Sequence, residues 1–166
     1  KSLFNNNNPK IALLNIGLEE NKGNEVLKKT YNILKSKEIK DFEFCGYIEG
    51  NHIMDGNVDV IVTDGFTGNV ALKTAEGTAN FITENLKKSL NKLSIILSYK
   101  SLKKFKEKLD PRKYNGAIFL GLQGPVVKSH GSTDSIGFAH SIEMCYKIVK
   151  GDLIKKIKSH LINVDA

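Results

Sequence analysis

Three short polar turns that contain glycine are the places where this sequence could perform chemistry. They span residues 15–24, 64–69 and 130–134. Glycine allows a backbone to approach a ligand closely, and a helix start offers unpaired N–H groups and a partial positive charge. Turns of this kind are suited to holding a phosphate group. The same residue types also serve as ordinary helix caps, so each turn alone has a structural interpretation.

Several residues of these turns are candidates for binding a substrate or a phosphate group. They are Asn15, Gly17, Lys22, Asp64, Gly65, Gly68, Asn69, Gly131 and Ser132. Glu19 is a further, weaker candidate, which with Asn15 and Lys22 would lie at the rim of a cleft.

Lys73 and His130 are the predicted catalytic residues. Lys73 follows Asn69 by one helical turn, so its ammonium group could reach an anion held at the helix start. His130 stands between a strand end and a glycine, where an imidazole can donate to a phosphate oxygen or to a developing oxyanion. The structural alternatives are a solvated lysine and a hydrogen-bonded loop histidine.

No motif indicates a nucleotide or a metal ion. None of the three turns matches the G-x-G-x-x-G fingerprint or the Walker loop. The cysteines and histidines do not have the spacing of a zinc site. The sequence therefore predicts no metal site.

The elements that position these turns follow from apolar runs and helical periodicity. Strands are expected at 10–15, 42–47, 58–63, 117–122 and 126–129, and helices near 27–34, 71–90, 102–109, 138–149 and 154–161. Strands that alternate with helices predict a single α/β domain over residues 1–166, a three-layer α/β/α sandwich with a mostly parallel sheet. In such sheets ligands bind beyond the carboxyl ends of the strands, where all three turns are expected to meet.

The net charge of +7 is confined to one segment. Residues 87–108 contain eight lysines and a single acid, Glu107, so the rest of the chain is electrically balanced. We expect residues 85–109 to form a protruding helical hairpin, and one of two equally open interpretations is that its tip binds an anionic membrane surface through Leu93, Ile95, Ile96 and Leu97. The alternative is a dimer-interface hairpin with a solvated lysine face. A nucleic-acid partner is disfavoured, because the tip is aliphatic and offers no stacking residues.

Composition indicates the compartment. Cys45 and Cys145 lie far apart in apolar runs and are expected to be core residues, which favours a reducing cytosol. No apolar stretch reaches the ~20 residues of a membrane span. Because no signal peptide is visible and the first residue is Lys1, we expect the chain to begin inside a longer product.

The order of the motifs resembles that of the bacterial phosphate acyltransferase (PlsX) family over residues 10–150. The matching runs are LLNIG at 13–17, KGNE at 22–25, GYIEG at 46–50, IMDG at 53–56, DGFTGNVALKT at 64–74, GLQGPVV at 121–127 and HGS at 130–132. The run at 64–74 is the most specific of them.

The resemblance implies a fold like that of isocitrate and isopropylmalate dehydrogenases and a homodimer without metal or organic cofactor. It implies transfer of a fatty acyl group from acyl carrier protein to inorganic phosphate, giving acyl phosphate for phospholipid synthesis. A cytoplasmic location with peripheral attachment to the inner face of the cell membrane is also implied. The family's N-terminal half is missing from this sequence, so we expect the fragment alone to have little activity.

Three other functions stay open. An NAD-dependent decarboxylating dehydrogenase of related fold would need clustered metal-binding aspartates, and Asp59 and Asp64 are the nearest approach to such a cluster. A phosphate acetyltransferase would use acetyl-CoA instead of acyl carrier protein. A non-catalytic basic binding module would use only the lysine-rich segment.

Overall fold

The computed structural model describes residues 6–37, 39–91, 98–105, 115–131 and 133–164. It divides into two compact units, Asn6–Thr83 and Glu84–Ala166, with the boundary inside a long helix. Leu93, Ile95, Ile96, Leu97 and Ser132, which the sequence singled out, lie outside the described residues.

Strands and helices follow the predicted order. The first unit holds β1 (Lys10–Asn15), α1 (Glu25–Ser36), β2 (Glu43–Glu49), a 3-10 turn (Gly50–His52) and β3 (Val60–Val62), and α2 (Gly65–Ser89) runs into the second unit. There, residues 98–105 are helical (α3) and are followed by β4 (Ala117–Ile118), β5 (Val127–Lys128), α4 (Ser135–Lys150) and α5 (Leu153–Val164).

A parallel sheet with β1 at its centre organises the first unit. The strand order is β2-β1-β3, and β1 pairs in parallel with both neighbours. The last four residues of β1 are all buried, which explains why its sequence is an apolar run and does not alternate. Ala12, Leu14 and Ile48 form the core cluster, against which Ile61 and Ala71 of β3 and α2 pack.

A bulge interrupts the register between β1 and β2. Ile11 faces Phe44 but Leu13 faces Tyr47, so β2 has one extra residue at this point, and Gly46 there has a φ of 82°. The bulge places Phe44 and Tyr47 on one face, and the ring of Tyr31 on α1 contacts both. It breaks the simple alternation of β2.

The second unit has a small antiparallel sheet. β4 pairs with β5 through Ala117 and Lys128 and through Ile118 and Val127. Helix α4 contacts β5 and α5, and Ile148 of α4 is only 2% exposed. The α/β class, with a mostly parallel pattern among the described strands, is therefore confirmed, while β4 and β5 are an antiparallel exception.

Three expectations about local detail were wrong. β3 and β4 are shorter than predicted, since each has only the residues that pair with a neighbouring strand. Cys45 is exposed and not in the core, because it lies beside the bulge of β2, which is an edge strand. Residues 65–69 lie within the first turns of α2 and do not form a loop before it.

Candidate functional site

The carboxyl ends of β1 and β3 bring the first two predicted turns to one edge of the parallel sheet. Leu13 of β1 pairs with Val62 of β3. Asn15 ends β1 and Asp64 lies two residues after the end of β3, so both lie at this edge of the sheet. Asp59 lies at the other end of β3, where its carboxylate accepts a hydrogen bond of 2.8 Å from the Lys10 N–H. The sheet thus separates the two aspartates that a metal site would need together.

The first turn is closed by the buried amide of Asn15. This side chain is 6% exposed, its Nδ2 donates to the Lys22 carbonyl at 3.2 Å, and its Oδ1 accepts from the Ile16 N–H at 2.9 Å. Gly23 has a φ of 84°, and a Cβ there would lie 2.4 Å from Asn15 Oδ1. Asn15 and Gly23 therefore shape the turn, and the exposed Lys22 is the cation that this turn presents.

Two other residues of the first turn also have structural contacts. Gly17 is buried, and a Cβ there would lie 2.6 Å from Glu19 Oε2 and 3.1 Å from Lys22 Cγ. Glu20 accepts hydrogen bonds from Lys35 Nζ and from Tyr31 Oη on α1. The Lys35 contact is the main cause of the lowered pKa of Glu20, and these contacts tie the turn to α1.

The second turn is a capped helix start. Asp64 accepts from the Thr67 N–H at 2.9 Å through Oδ1 and from Thr67 Oγ1 at 2.5 Å through Oδ2. The Thr67 hydroxyl and N–H lower the pKa of Asp64. A Cβ on Gly68 would lie 2.7 Å from Thr63 Cγ2, so glycine lets α2 start close to β3, whereas a Cβ on Gly65 would have open space around it.

Lys73 lies on the same side of α2 as Asn69, one turn further along. Its ammonium group forms an ion pair of 2.7 Å with Glu76 Oε2 and is about half exposed. An anion at the start of α2 would therefore share this ammonium group with a carboxylate. Because exposed ion pairs contribute little to stability, the ion pair between Lys73 and Glu76 can rearrange at little cost.

The third turn belongs to the second unit and follows β5. The His130 N–H donates to Asn115 Oδ1 at 2.8 Å, and its carbonyl accepts from the Thr133 N–H at 3.1 Å. Asp134 caps α4 by accepting from the Gly137 N–H at 3.0 Å. A Cβ on Gly131 would meet no atom within 4 Å. Since β5 pairs with β4 and not with the parallel sheet, strand pairing does not carry this turn to the edge shared by the other two.

Sequence reasoning missed Asn115 and Glu20, two residues that hold the predicted turns in place. Asn115 is 8% exposed and hydrogen-bonds four groups in and around the third turn. The available signal was the Asn-Gly pair at 115–116 directly before an apolar run, which is unusual for a buried position. Glu20 had no comparable signal, since its partners lie 11 and 15 residues away.

A cavity of about 130 Å³ in the second unit does not belong to the predicted site. It is lined by apolar residues of the segment 118–125 and of α5, with Lys158 at its edge. Because β4 and β5 are antiparallel, that segment lies at the end of the pair opposite to His130.

No group of three or more His, Cys, Asp or Glu side chains in the described ranges could hold a metal ion. Within the same ranges, every helix is too short or too polar to cross a membrane.

Comparison with known proteins identifies the family. A family model described as "Fatty acid synthesis protein" matches residues 1–156, and the chain belongs to this family. Among its relatives is the phosphate acyltransferase of Pelagibacter ubique, 60% identical over 97% of this chain and 50% of that protein. The phosphate acyltransferase of Afipia carboxidovorans is 46% identical over 93% of this chain and 45% of that protein. The phosphate acyltransferase of Sinorhizobium fredii is 44% identical over 97% of this chain and 48% of that protein. The chain spans about half the length of these relatives, and the resemblance found in its motifs is confirmed.

The lowered pKa of Asp64 should depend on the Thr67 hydroxyl. Thr67→Val removes that donor, so the pKa of Asp64 should rise toward its usual value, as followed by carboxyl-carbon NMR. Thr30→Val, which removes a hydroxyl bonded to the Val26 carbonyl on α1, is the matched control and should leave it unchanged. An identical Asp64 titration in wild type and Thr67→Val would contradict this account of the cap.

The same shift predicts a pH dependence of stability. A carboxylate whose pKa is lower in the folded state stabilises the fold above its unfolded pKa, and this contribution disappears as pH falls through the folded pKa. Asn is a neutral cap of similar shape. The free energy of unfolding of Asp64→Asn should therefore approach that of wild type as the solution is acidified.

Proposed function

We propose that the full-length protein containing this chain transfers a fatty acyl group from acyl carrier protein to inorganic phosphate, yielding acyl phosphate for phospholipid synthesis. The observation that carries the proposal is the 60% identity, over 97% of this chain, to a protein named phosphate acyltransferase. The three turns at strand ends provide cations and polar groups of the kind that such a reaction needs. The proposal includes no metal and no organic cofactor.

The reaction requires the protein to position its substrates and does not require a nucleophilic side chain. A phosphate oxygen attacks the thioester carbonyl carbon, the carbon–oxygen bond forms, and the carbon–sulfur bond breaks. The carrier thiolate then takes up a proton. Because phosphate is itself the nucleophile, the protein has to hold it against the thioester, offset charge repulsion and stabilise the tetrahedral oxyanion.

We propose that the ammonium group of Lys73 offsets the negative charge of the phosphate. The imidazole of His130 contacts the oxyanion or the phosphate. Asp64 and Asp134 each place a carboxylate at a helix start, where it accepts from one N–H group of α2 or α4, so side-chain donors are better suited to the anion than the helix starts alone. Asp64 then orders the turn that carries Gly65, Gly68 and Asn69. Asn15 and Gly17 shape the turn that presents Lys22, and Gly131 and Ser132 follow His130 in sequence.

We also propose the finer architecture implied by the family. It is a three-layer α/β/α sandwich over residues 1–166, similar to isocitrate and isopropylmalate dehydrogenases, with a helical hairpin at 85–109. Support comes from the parallel sheet of the first unit and from the helical residues 85–89 and 98–105 within that segment. An experimental structure of the full-length protein with a straight helix through 85–109 would contradict the hairpin.

A homodimer that pairs through α2 or through the sheet edge near it is part of the proposal. Val70, Phe81 and Ile82 of this helix are 49%, 68% and 48% exposed, and none of its residues is buried. Apolar exposure of this extent is typical of surfaces that a partner covers. Sedimentation of the full-length protein as a strict monomer at micromolar concentration would contradict it.

The function is tested by an acyl phosphate assay on the full-length protein with acyl carrier protein thioester and phosphate. Acyl phosphate should form in amounts equal to the carrier thiol released. Turnover that depends on a nicotinamide cofactor would contradict the proposal and support a dehydrogenase. Turnover that prefers acetyl-CoA to the carrier thioester would support a phosphate acetyltransferase. The isolated chain should be much less active, since it spans about half the length of its relatives.

The residue roles predict separate kinetic effects. In the full-length protein, Lys73→Ala and His130→Ala should each lower kcat/KM more than tenfold, about 1.4 kcal/mol of transition-state stabilisation. Lys73→Ala should act chiefly by raising the KM for phosphate. The matched control is Glu76→Gln, which removes the charge paired with Lys73 and should not raise that KM. Wild-type kinetics in both alanine variants would leave only structural roles for these residues.

We propose that the segment 85–109 attaches the protein to an anionic membrane surface in the cytoplasm. Lys87 and Lys88 end α2 and Lys100, Lys103 and Lys104 lie on α3, on either side of the apolar tip at 93–97. Basic residues near an anionic surface contribute about 1 kcal/mol each, in addition to apolar insertion. Release of a hydrophobic acyl phosphate at the bilayer would keep it out of water.

Liposome co-sedimentation tests this attachment. Wild type should pellet with anionic vesicles more than with neutral ones, and added salt should weaken the binding. Ile95→Asp combined with Ile96→Asp should abolish it. Ile33→Asp, which alters an exposed isoleucine of α1, should not. Equal pelleting of wild type and the double variant would overturn the membrane role of the tip.

A further inference from the structure

The buried amide of Asn115 is the most densely bonded polar group around the third turn. Its Nδ2 lies 2.9 Å from each of three acceptors, Ser129 Oγ, Thr133 Oγ1 and the Gly137 carbonyl, and its Oδ1 accepts from the His130 N–H at 2.8 Å. An amide NH2 has two hydrogens, so the three acceptors share them. Both ends of the side chain therefore have hydrogen-bond partners.

These partners span the whole connection between β5 and α4. They lie 14 to 22 residues after Asn115 and include the residue after β5, the turn itself and the first turn of α4. One side chain thus ties the strand end, the His130 backbone and the helix start together. Because a buried amide that loses a partner is costly, the connection has one strongly favoured geometry.

A glycine on α4 makes room for this amide. A Cβ on Gly137 would lie 2.1 Å from Thr133 Oγ1 and 3.3 Å from Asn115 Nδ2. Gly116 has a φ of 114°, and a Cβ there would lie 3.3 Å from the Ser141 Cα of α4. A carboxylate in place of the amide would keep the bond from the His130 N–H but would set an anionic oxygen against the Gly137 carbonyl.

We propose that Asn115 is a positioning residue for the acyl transfer, holding the His130 backbone and the start of α4 so that the imidazole meets the reacting phosphate or oxyanion. The inference rests on the proposed function, since it gives Asn115 an effect on catalysis that passes through His130. A residue that served the fold alone would lower activity only in proportion to the protein that unfolds.

A double-mutant cycle on the full-length protein tests it. Asn115→Asp alone should lower kcat at least tenfold, and adding it to His130→Ala should lower kcat less than twofold further, because contacting residues that act as a unit are not additive. The control is Ile148→Ala in the core of the same unit, which should lower stability but not the kcat of the folded protein. Equal factors for Asn115→Asp in the two backgrounds would overturn the inference.

A second variant covers the case in which Asn115→Asp does not fold. Thr133→Val replaces an acceptor 2.9 Å from the amide nitrogen by a methyl group that needs more room, so the amide should be displaced, and kcat should fall in the wild-type background but not in His130→Ala. In parallel, inorganic phosphate should shift the His130 ring signals in NMR, and the apparent Kd should rise at least tenfold in the Asn115 or Thr133 variant. Unchanged phosphate affinity would count against positioning.

The outcomes distinguish a failure of the proposed function from a failure of the role of Asn115. An inactive wild-type protein would refute the proposed function, and the role of Asn115 with it. An active wild type in which the factors multiply would refute the role of Asn115 alone, and one in which His130→Ala retains full activity would refute the roles of both His130 and Asn115.

Discussion

The burial of β1 between two parallel neighbours is the constraint on which the first unit depends. With both edges hydrogen-bonded and its last four residues buried, this strand cannot shift along the sheet without exposing Leu13 or Leu14 to water. Its carboxyl end is therefore fixed relative to that of β3. The turns that follow these two strands therefore lie at the same edge of the sheet, although 49 residues separate Asn15 from Asp64.

A buried asparagine shapes the turn that follows a strand in each of the two units. Asn15 closes the turn after β1 by donating to a backbone carbonyl, and Asn115 organises the turn after β5 through one backbone donor and three acceptors. An amide suits this work because it donates and accepts without charge, so its burial costs less than that of a carboxylate. In both places a glycine leaves the space that the amide fills.

The aspartate caps make the starts of α2 and α4 less favourable for binding an anion. Asp64 and Asp134 satisfy N–H groups at the starts of α2 and α4, and Asp64 does so with a lowered pKa. A carboxylate at the positive end of a helix repels a second anion there. An arriving phosphate is then attracted mainly by side-chain cations and imidazole, and the caps act as rigid supports for the turns that carry them.

The sequence by itself determined the order of the elements, the family and the turns to inspect, because these depend on local periodicity and on motifs that are contiguous in the chain. The run at 10–15 was recognisable as a buried strand, and DGFTGNVALKT at 64–74 as a family motif. The bulge at Gly46, the antiparallel pairing of β4 with β5 and the bonds of Asn115 were decided only by tertiary structure. Each depends on pairs of residues that are not contiguous in the chain. A short β-rich run does not specify its partner, and a polar residue does not specify which buried acceptors will surround it until the chain has folded.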